Sequence, residues 1–131
     1  AVAIVGDLMD MCRCDSAADA KEQQTWLLDW MRRCTVPLFV VSGNHDVYPS
    51  VESAEWLQEA RRDGVWVDGD VVVIEGRSIA LVPYATGPSR MLGRLFAQPP
   101  PDLALHHEPP ARTRVAIALQ SGRDFGSDDL R

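Results

Sequence analysis

Residues 38–46 read Leu-Phe-Val-Val-Ser-Gly-Asn-His-Asp, an apolar run that leads into a glycine and a group of polar side chains. Two other runs have the same form: residues 1–5 precede Gly6-Asp7, and residues 103–105 precede His106-His107. Short apolar runs with little polar alternation are typical of strands that helices cover on both faces. We therefore expect three strands, each inside a sheet and each followed by chemically useful side chains.

The residues between the first two runs predict a helix. Apolar side chains recur there at helical spacing, at Ala20, Leu27, Trp30, Met31 and Cys34. Asp15 or Ser16 can cap the start of the helix, and Arg32 and Arg33 suit its end. A strand, a helix and a second strand predict a right-handed parallel crossover, so the fold class is α/β.

The second half of the chain predicts a helix followed by antiparallel strands. The helix starts near Ser50 or Ser53, ends at Gly64 and buries three apolar residues, Trp56, Leu57 and Ala60. Strands follow at 65–67, 71–74 and 79–82, with tight turns at Asp68-Gly69, a hairpin signal, and at Gly76-Arg77. A short helix is expected at 91–96, and 113–119 fits either a strand or a helix. All four tryptophans are expected in the core: Trp26, Trp30, Trp56 and Trp66.

Composition limits the classes of protein to consider. The chain has 131 residues, of which 46% are hydrophobic and 24% charged, which suits one domain over residues 1–131. Its net charge of -6 argues against a broad contact with nucleic acid or anionic lipid. No apolar stretch approaches the roughly 20 residues of a membrane helix, and the three cysteines suggest reduced thiols. We expect a cytoplasmic protein, cut from a longer domain because the chain starts inside an apolar run.

The chemistry lies at the ends of the three predicted strands. Asp7, Asn44-His45-Asp46 and His106-His107 each follow an apolar run. In open α/β sheets this edge binds ligands. A carboxylate, an amide oxygen and imidazoles suit Mn, Fe or Zn, and the short Asp7 side chain can bridge two ions. Two ions roughly 3.5–4 Å apart activate a shared water, which suits the hydrolysis of phosphate esters.

Each of these motifs also has a purely structural interpretation. Gly6-Asp7 and Gly43-Asn44 are ordinary turn sequences, and His45, His106 and His107 could be surface or hydrogen-bonded histidines. The functional interpretation depends on their combination, with each motif placed after a strand and a helix-length spacer between the first two.

Together the motifs resemble the calcineurin-like metallophosphoesterase superfamily over nearly the whole chain. The resemblance is carried by Gly6-Asp7-Leu8-Met9-Asp10, by Gly43-Asn44-His45-Asp46, and by His106-His107 before Pro109. It implies a sandwich of mixed β-sheets flanked by helices, with four layers in the family and an incomplete set here. It also implies a hydrolase of phosphate monoesters or diesters, in which a hydroxide held between two divalent metal ions (Mn, Fe or Zn) attacks phosphorus. Its partner would be a small phosphate ester.

The resemblance also implies roles for single residues in the metal centre. Asp7 would bridge both metals, and Asn44 would bind the second ion together with either His106 or His107. A proline shortly after the histidine pair favours His107, whereas the end of the apolar run favours His106.

The catalytic group implied by the resemblance consists of His45, Asp46 and Asp10. His45 would stabilise the pentavalent phosphorus or protonate the leaving oxygen. Asp10 and Asp46 would orient the ligands and tune their basicity.

Two outer motifs of the family, Asp-x-His and Gly-His-x-His, are missing, since the chain has only three histidines. Truncation would explain this. The alternative is decay, with Ser121-Gly122-Arg123-Asp124 as a degenerate last motif and a noncatalytic scaffold as the function. A DNA-repair nuclease of the same superfamily is a third hypothesis, disfavoured by the acidic charge.

Overall fold

The computed structural model describes residues 1–48, 53–84, 99–108 and Arg123. Within these residues the chain forms one α-helix and two three-stranded sheets, which confirms the α/β class. The first sheet contains β1 (Val2–Val5), β2 (Leu38–Val41) and β3 (Val65–Trp66) in that order, all parallel. The second sheet contains β4 (Val71–Ile74), β5 (Arg77–Leu81) and β6 (Leu103–Leu105). The helix α1 (Ala17–Arg33) connects β1 to β2, and two short 3₁₀ helices span Met11–Arg13 and Glu55–Ala60.

Strand β2 lies between two hydrophobic layers because its side chains alternate. Leu38 and Val40 pack into the core on the side of α1, whereas Phe39 and Val41 pack against the second sheet. All four residues are buried, as predicted, but a sheet rather than a helix covers the second face. A continuous apolar run indicates burial on both faces and does not specify which element provides it.

The prediction that each of the three apolar runs lies inside a sheet is confirmed for 38–41 but not, in the described part of the chain, for the other two. Among the described strands, β1 and β6 are edge strands, with Val2 46% and Leu103 50% exposed. Strand β6 is also parallel to β5 in the second sheet and has no pairing with β1 or β2. A run of three residues carries no information about its partner, since long-range packing decides strand pairing.

Helix α1 begins where the sequence predicted. Ser16 is its N-cap and accepts a hydrogen bond from the Asp19 amide at 3.2 Å. The expected core position of Trp26 and Trp30 was wrong, because these side chains are 62% and 36% exposed. They lie four residues apart on a face away from the stripe that α1 does bury, which is Ala20, Gln24, Leu27, Leu28 and Met31. The two other tryptophans follow the prediction more closely, since Trp56 is buried and Trp66 is half-buried.

The second predicted helix is a short 3₁₀ helix, Glu55–Ala60, which buries the three apolar residues expected of it. It ends before Gly64, whose φ of +78° turns the chain into β3 instead. The proposed start at Ser50, the helix at 91–96, the segment 113–119 and most of 121–124 lie outside the described residues. In the part of the chain that the structure describes, no helix has the length and apolar character needed to cross a membrane.

The two predicted turns differ in outcome. The Asp68-Gly69 turn, closed by the Asp70 amide on the Val67 carbonyl at 3.0 Å, joins the two sheets and forms no hairpin. The second turn does form a hairpin, since Ile74 pairs with Arg77 across β4 and β5. Its central residues, Glu75 and Gly76, have φ values of +50° and +77°, which is the geometry of a type I′ turn.

The hairpin turn predicts opposite effects of two substitutions. Glu75→Asn should raise the free energy of unfolding by about 0.5–1 kcal/mol, because asparagine tolerates the left-handed region better than glutamate. Gly76→Ala should lower the free energy of unfolding by about 1 kcal/mol, because alanine tolerates the left-handed region less well than glycine. Urea unfolding of the two variants and the parent measures both. Shifts of the same sign would contradict this assignment of the turn.

Candidate metal centre

The loops that follow β1 and β2 lie side by side. The two strands are parallel with Val5 paired to Val41, and the Gly6 amide continues the ladder by donating to the Val41 carbonyl at 2.9 Å. Asp7 therefore lies next to the second loop, where its Oδ1 accepts a hydrogen bond from the His45 amide at 3.3 Å. The predicted meeting of the first two motifs is thus present in the structure.

Glycine is required at both loops because the two backbones approach so closely. A Cβ on Gly43 would lie 2.5 Å from the Asp7 nitrogen, and one on Gly6 would lie 2.8 Å from the Gly43 Cα. Both distances are below the 3.0 Å that real Cβ atoms essentially never violate. Asp7 itself has a φ of +55°, a conformation that costs a non-glycine residue about 1–2 kcal/mol. Strain of this kind is typical of functional sites.

His107 reaches this pair of loops from the second sheet. Its Nδ1 lies 3.0 Å from the Val5 carbonyl, which can only accept, so Nδ1 carries a hydrogen and donates it. Its Nε2 lies 3.1 Å from Asn44 Oδ1 and 3.5 Å from Asp7 Oδ1. In the neutral imidazole that Nε2 presents a lone pair. Two side-chain oxygens therefore lie within 3.5 Å of this nitrogen.

Such a convergence of acceptors calls for a positive charge. Carboxylate oxygen, amide oxygen and imidazole nitrogen are together a suitable donor set for a divalent transition metal, so the residues fit the implied ion. In the described ranges, no group of three His, Cys, Asp or Glu side chains is arranged to hold a metal. The cluster here has two such residues, Asp7 and His107, and the Asn44 amide is its third donor.

The structure distinguishes the two adjacent histidines. His106 turns back on its own loop, where its Nδ1 lies 2.8 Å from the Glu108 carbonyl. Within the described residues no hydrogen bond or ion pair joins His106 to Asp7 or Asn44. The side chain that meets these two residues is that of His107.

His45 lies in the same loop as Asn44, and its imidazole is half-buried. Its backbone makes the recorded contacts, with the amide on Asp7 and the carbonyl accepting from the Tyr48 amide at 3.4 Å. Among the described residues its ring has no hydrogen bond, which leaves the imidazole available to a ligand.

Asp46 lies beneath the centre and connects the two loops. Its side chain is fully buried and accepts from the Gly43 amide at 2.8 Å and the Met9 amide at 3.0 Å. Burial raises its pKa, the charge of Asp7 adds to this rise, and the backbone hydrogen bonds oppose it. The Trp56 indole donates to the Asp46 carbonyl at 2.8 Å. With no exposed surface, Asp46 is placed to position the loops rather than to touch a substrate.

Asp10 is exposed and bonds within its own neighbourhood. It caps the 3₁₀ helix Met11–Arg13 by accepting from the Cys12 amide at 3.1 Å, and it pairs with Arg13 at 3.4 Å. Its amide donates to Gln23 of α1 at 2.8 Å. No hydrogen bond or ion pair in the described part of the chain joins Asp10 to Asp7, Asn44 or His107.

Three residues near the centre were missed by sequence reasoning: Ser42, Asp68 and Tyr84. The buried Asp68 carboxylate accepts from the Ser42 amide at 2.9 Å, and the Ser42 Oγ accepts from the Tyr84 amide at 2.9 Å. The Tyr84 ring stands edge-on to His107, with centroids 6.2 Å apart. Asp68 was taken for a turn residue because Gly69 follows it. A tyrosine at the end of an apolar run carries no signal of its own.

Asp68 predicts a dependence of stability on pH. Burial raises its pKa from 3.8 to about 6, with Asp46 and Asp70 adding to the rise and Ser42 opposing it. The folded state therefore binds the proton more tightly, so this stabilisation is complete below about pH 4 and is lost as pH rises through about 6. Asp68→Asn has no charge to bury at any pH, so it should not lose stability in this range. Its side-chain oxygen can still accept the hydrogen bond from the Ser42 amide. Between about pH 4 and pH 7, the free energy of unfolding of Asp68→Asn should rise by up to about 3 kcal/mol relative to that of the parent.

Urea unfolding at both pH values measures this difference, with the exposed Asp63→Asn as the control, for which no such gain is expected. Parallel pH profiles for Asp68→Asn and the parent would contradict the prediction.

A family model described as calcineurin-like phosphoesterase matches residues 1–131. No curated protein matches the chain. The match spans every element described above and confirms the resemblance seen in the sequence. The chain belongs to the calcineurin-like phosphoesterase family.

Proposed function

We propose that this chain forms the metal-holding part of a hydrolase that cleaves phosphate monoesters or diesters. The observation that carries the proposal is the convergence of His107 Nε2 with the side-chain oxygens of Asn44 and Asp7 at 3.1 and 3.5 Å. Membership of a phosphoesterase family supports the same reaction class.

Asp7, Asn44 and His107 would hold a divalent cation such as Mn, Fe or Zn. Such ions supply charge neutralisation for phosphate oxygens and lower the pKa of a bound water. Asp7 suits a bridging position, because its side chain is 37% exposed and its Oδ2 has no hydrogen bond among the described residues. A second ion would take its other ligands from beyond the three-residue cluster.

The neighbouring groups favour a cation for electrostatic reasons. Asp7 and Glu108 both lie close enough to Tyr84 to help raise the pKa of its hydroxyl, an effect second to that of burial. An anionic phosphate approaching these carboxylates would be repelled unless cations offset them. Cations held at this centre would therefore allow an anionic phosphate to bind beside the carboxylates.

The second sphere of the centre keeps His107 in one tautomer. The Val5 carbonyl accepts the Nδ1 hydrogen, which directs the Nε2 lone pair toward Asn44 and Asp7 and raises its basicity. Asp46 holds the loops of Asp7 and Asn44 together, and Asp10 orders the start of the segment that follows Asp7. In this proposal both act by positioning.

We propose His45 as the group that protonates the leaving oxygen. Its loop is anchored to Asp7 through the His45 amide, and its imidazole is half-buried without a hydrogen bond within the described residues. A positioned imidazole is an effective proton donor near neutral pH.

A noncatalytic scaffold is the alternative function, and one observation favours it. The sequence contains only three histidines, so two motifs that imply further ligands are missing from these residues. Such a scaffold could hold an ion at Asp7, Asn44 and His107 and still show no turnover.

The proposal predicts distinct effects of two adjacent substitutions. In the full-length protein, His107→Ala should weaken Mn²⁺ binding by about 10- to 100-fold and reduce Mn²⁺-stimulated hydrolysis of a nitrophenyl phosphate. His106→Ala is the matched control and should change neither, because His106 bonds within its own loop. Calorimetric titration with Mn²⁺ and a colorimetric assay measure the two effects. Equal losses in both variants, or binding without any turnover in the parent, would contradict the proposal.

The role of His45 predicts a dependence on the leaving group. His45→Gln should lower kcat by about 10²-fold or more for an alkyl phosphate, whose leaving oxygen needs a proton. The loss should be several-fold smaller for a nitrophenyl phosphate, whose leaving group departs as an anion, and Mn²⁺ affinity should stay unchanged. Equal losses on the two substrates would argue against His45 as the acid.

A further inference from the structure

Tyr84 contacts the imidazole of His107 from the side. The ring centroids are 6.2 Å apart and the planes meet at 79°, an edge-to-face arrangement that aromatic rings favour. Tyr84 follows β5 and is half-buried against the main hydrophobic core, so its ring is supported from behind.

The backbone of Tyr84 is fixed to the loop that carries Asn44. Its amide donates to the Ser42 Oγ at 2.9 Å, and the Ser42 amide donates to the buried Asp68 carboxylate at 2.9 Å. Ser42 lies two residues before Asn44. The same anchored segment thus places one metal-ligand candidate directly and contacts a second one through the tyrosine ring.

The strand that carries His107 gives it little support, so the orientation of its ring depends on contacts with other elements. His107 follows β6, the edge strand of the second sheet among the described strands, whose residues are largely exposed. Among the described residues, and apart from the contacts with Asn44 and Asp7, its side chain has one hydrogen bond, from Nδ1 to Val5, and its ring lies against Gly6. A single hydrogen bond lets the imidazole swing away from the Val5 carbonyl, whereas a ring edge packed against the imidazole restricts that movement.

We propose that Tyr84 is a positioning residue that keeps the His107 Nε2 directed at Asn44 and Asp7. This inference rests on the proposed function, since it assigns to Tyr84 an effect on the ion held by these residues. The effect comes from the aromatic ring and its packing. The hydroxyl is not required.

Three variants of the full-length protein test the inference. Tyr84→Phe keeps the ring and should bind Mn²⁺ within about 2-fold of the parent. Tyr84→Leu removes the ring edge and should weaken Mn²⁺ binding by about 10-fold, as expected for the loss of an outer-sphere partner. Tyr48→Leu is the matched control: Tyr48 is also half-buried against the same core but has no ring contact with His107.

Two readouts separate positioning from stability. Calorimetric titration gives the Mn²⁺ affinity, and ¹⁵N-resolved NMR of the metal-free protein gives the tautomer of His107. We expect Tyr84→Leu to lose the pure Nδ1–H tautomer and Tyr84→Phe to retain it, with Tyr48→Leu like the parent in both readouts. Thermal unfolding of Tyr84→Leu and Tyr48→Leu shows whether the two substitutions lower the melting temperature by similar amounts.

The possible results are distinguishable. Parent-like affinity and tautomer in Tyr84→Leu would overturn the inference and leave the proposed function intact. An equal loss in Tyr84→Phe would assign the effect to the hydroxyl, and an equal loss in Tyr48→Leu would assign it to core packing; each also overturns it. No Mn²⁺ binding by the parent, or binding that His107→Ala leaves unchanged, would overturn both proposals.

Discussion

The buried carboxylate of Asp46 is the interaction on which the centre depends. It accepts one amide from each loop, Gly43 at 2.8 Å and Met9 at 3.0 Å, and so fixes the separation of the segments that carry Asp7 and Asn44. Burying a carboxylate is unfavourable unless its oxygens are hydrogen-bonded, and backbone amides meet this need without another side chain. The glycines at 6 and 43 allow the approach that Asp46 maintains. The two glycines and the Asp46 carboxylate therefore determine the same distance, the one between the two loops.

A second constraint comes from the packing of the two sheets. Phe39 and Val41 of β2 pack with Val72 and Leu81 of the second sheet, and this layer determines how far His107 reaches across. Strand β2 serves both cores at once, since its other two side chains face α1. The candidate metal centre is thus located at the junction of two layers, and its geometry depends on a hydrophobic contact as much as on polar groups.

The sequence predicted those parts of the molecule that local patterns encode. The strands at 2–5 and 38–41, the Ser16 cap and the meeting of Asp7 with the Asn44 loop follow from apolar runs, helical spacing and parallel pairing. The choice between His106 and His107 could not be made, because it depends on the register and sheet of β6. The turn at Asp68-Gly69 was predicted, but the role of Asp68 as a buried acceptor was not, because an Asp-Gly sequence indicates only the turn. Trp26 and Trp30 were misplaced because aromatic spacing on a helix does not reveal which stripe is covered.

His107 and Val5 are bonded across 102 positions of the chain, and His107 and Asn44 across 63. Contacts of such long sequence separation form late, after the entropy of closing large loops has been overcome. On this argument we expect the donor set to be completed late in folding. Asp7 and Asn44, which are 37 positions apart, can therefore meet before the imidazole joins them, and the ion proposed above would find its full donor set only in the folded domain.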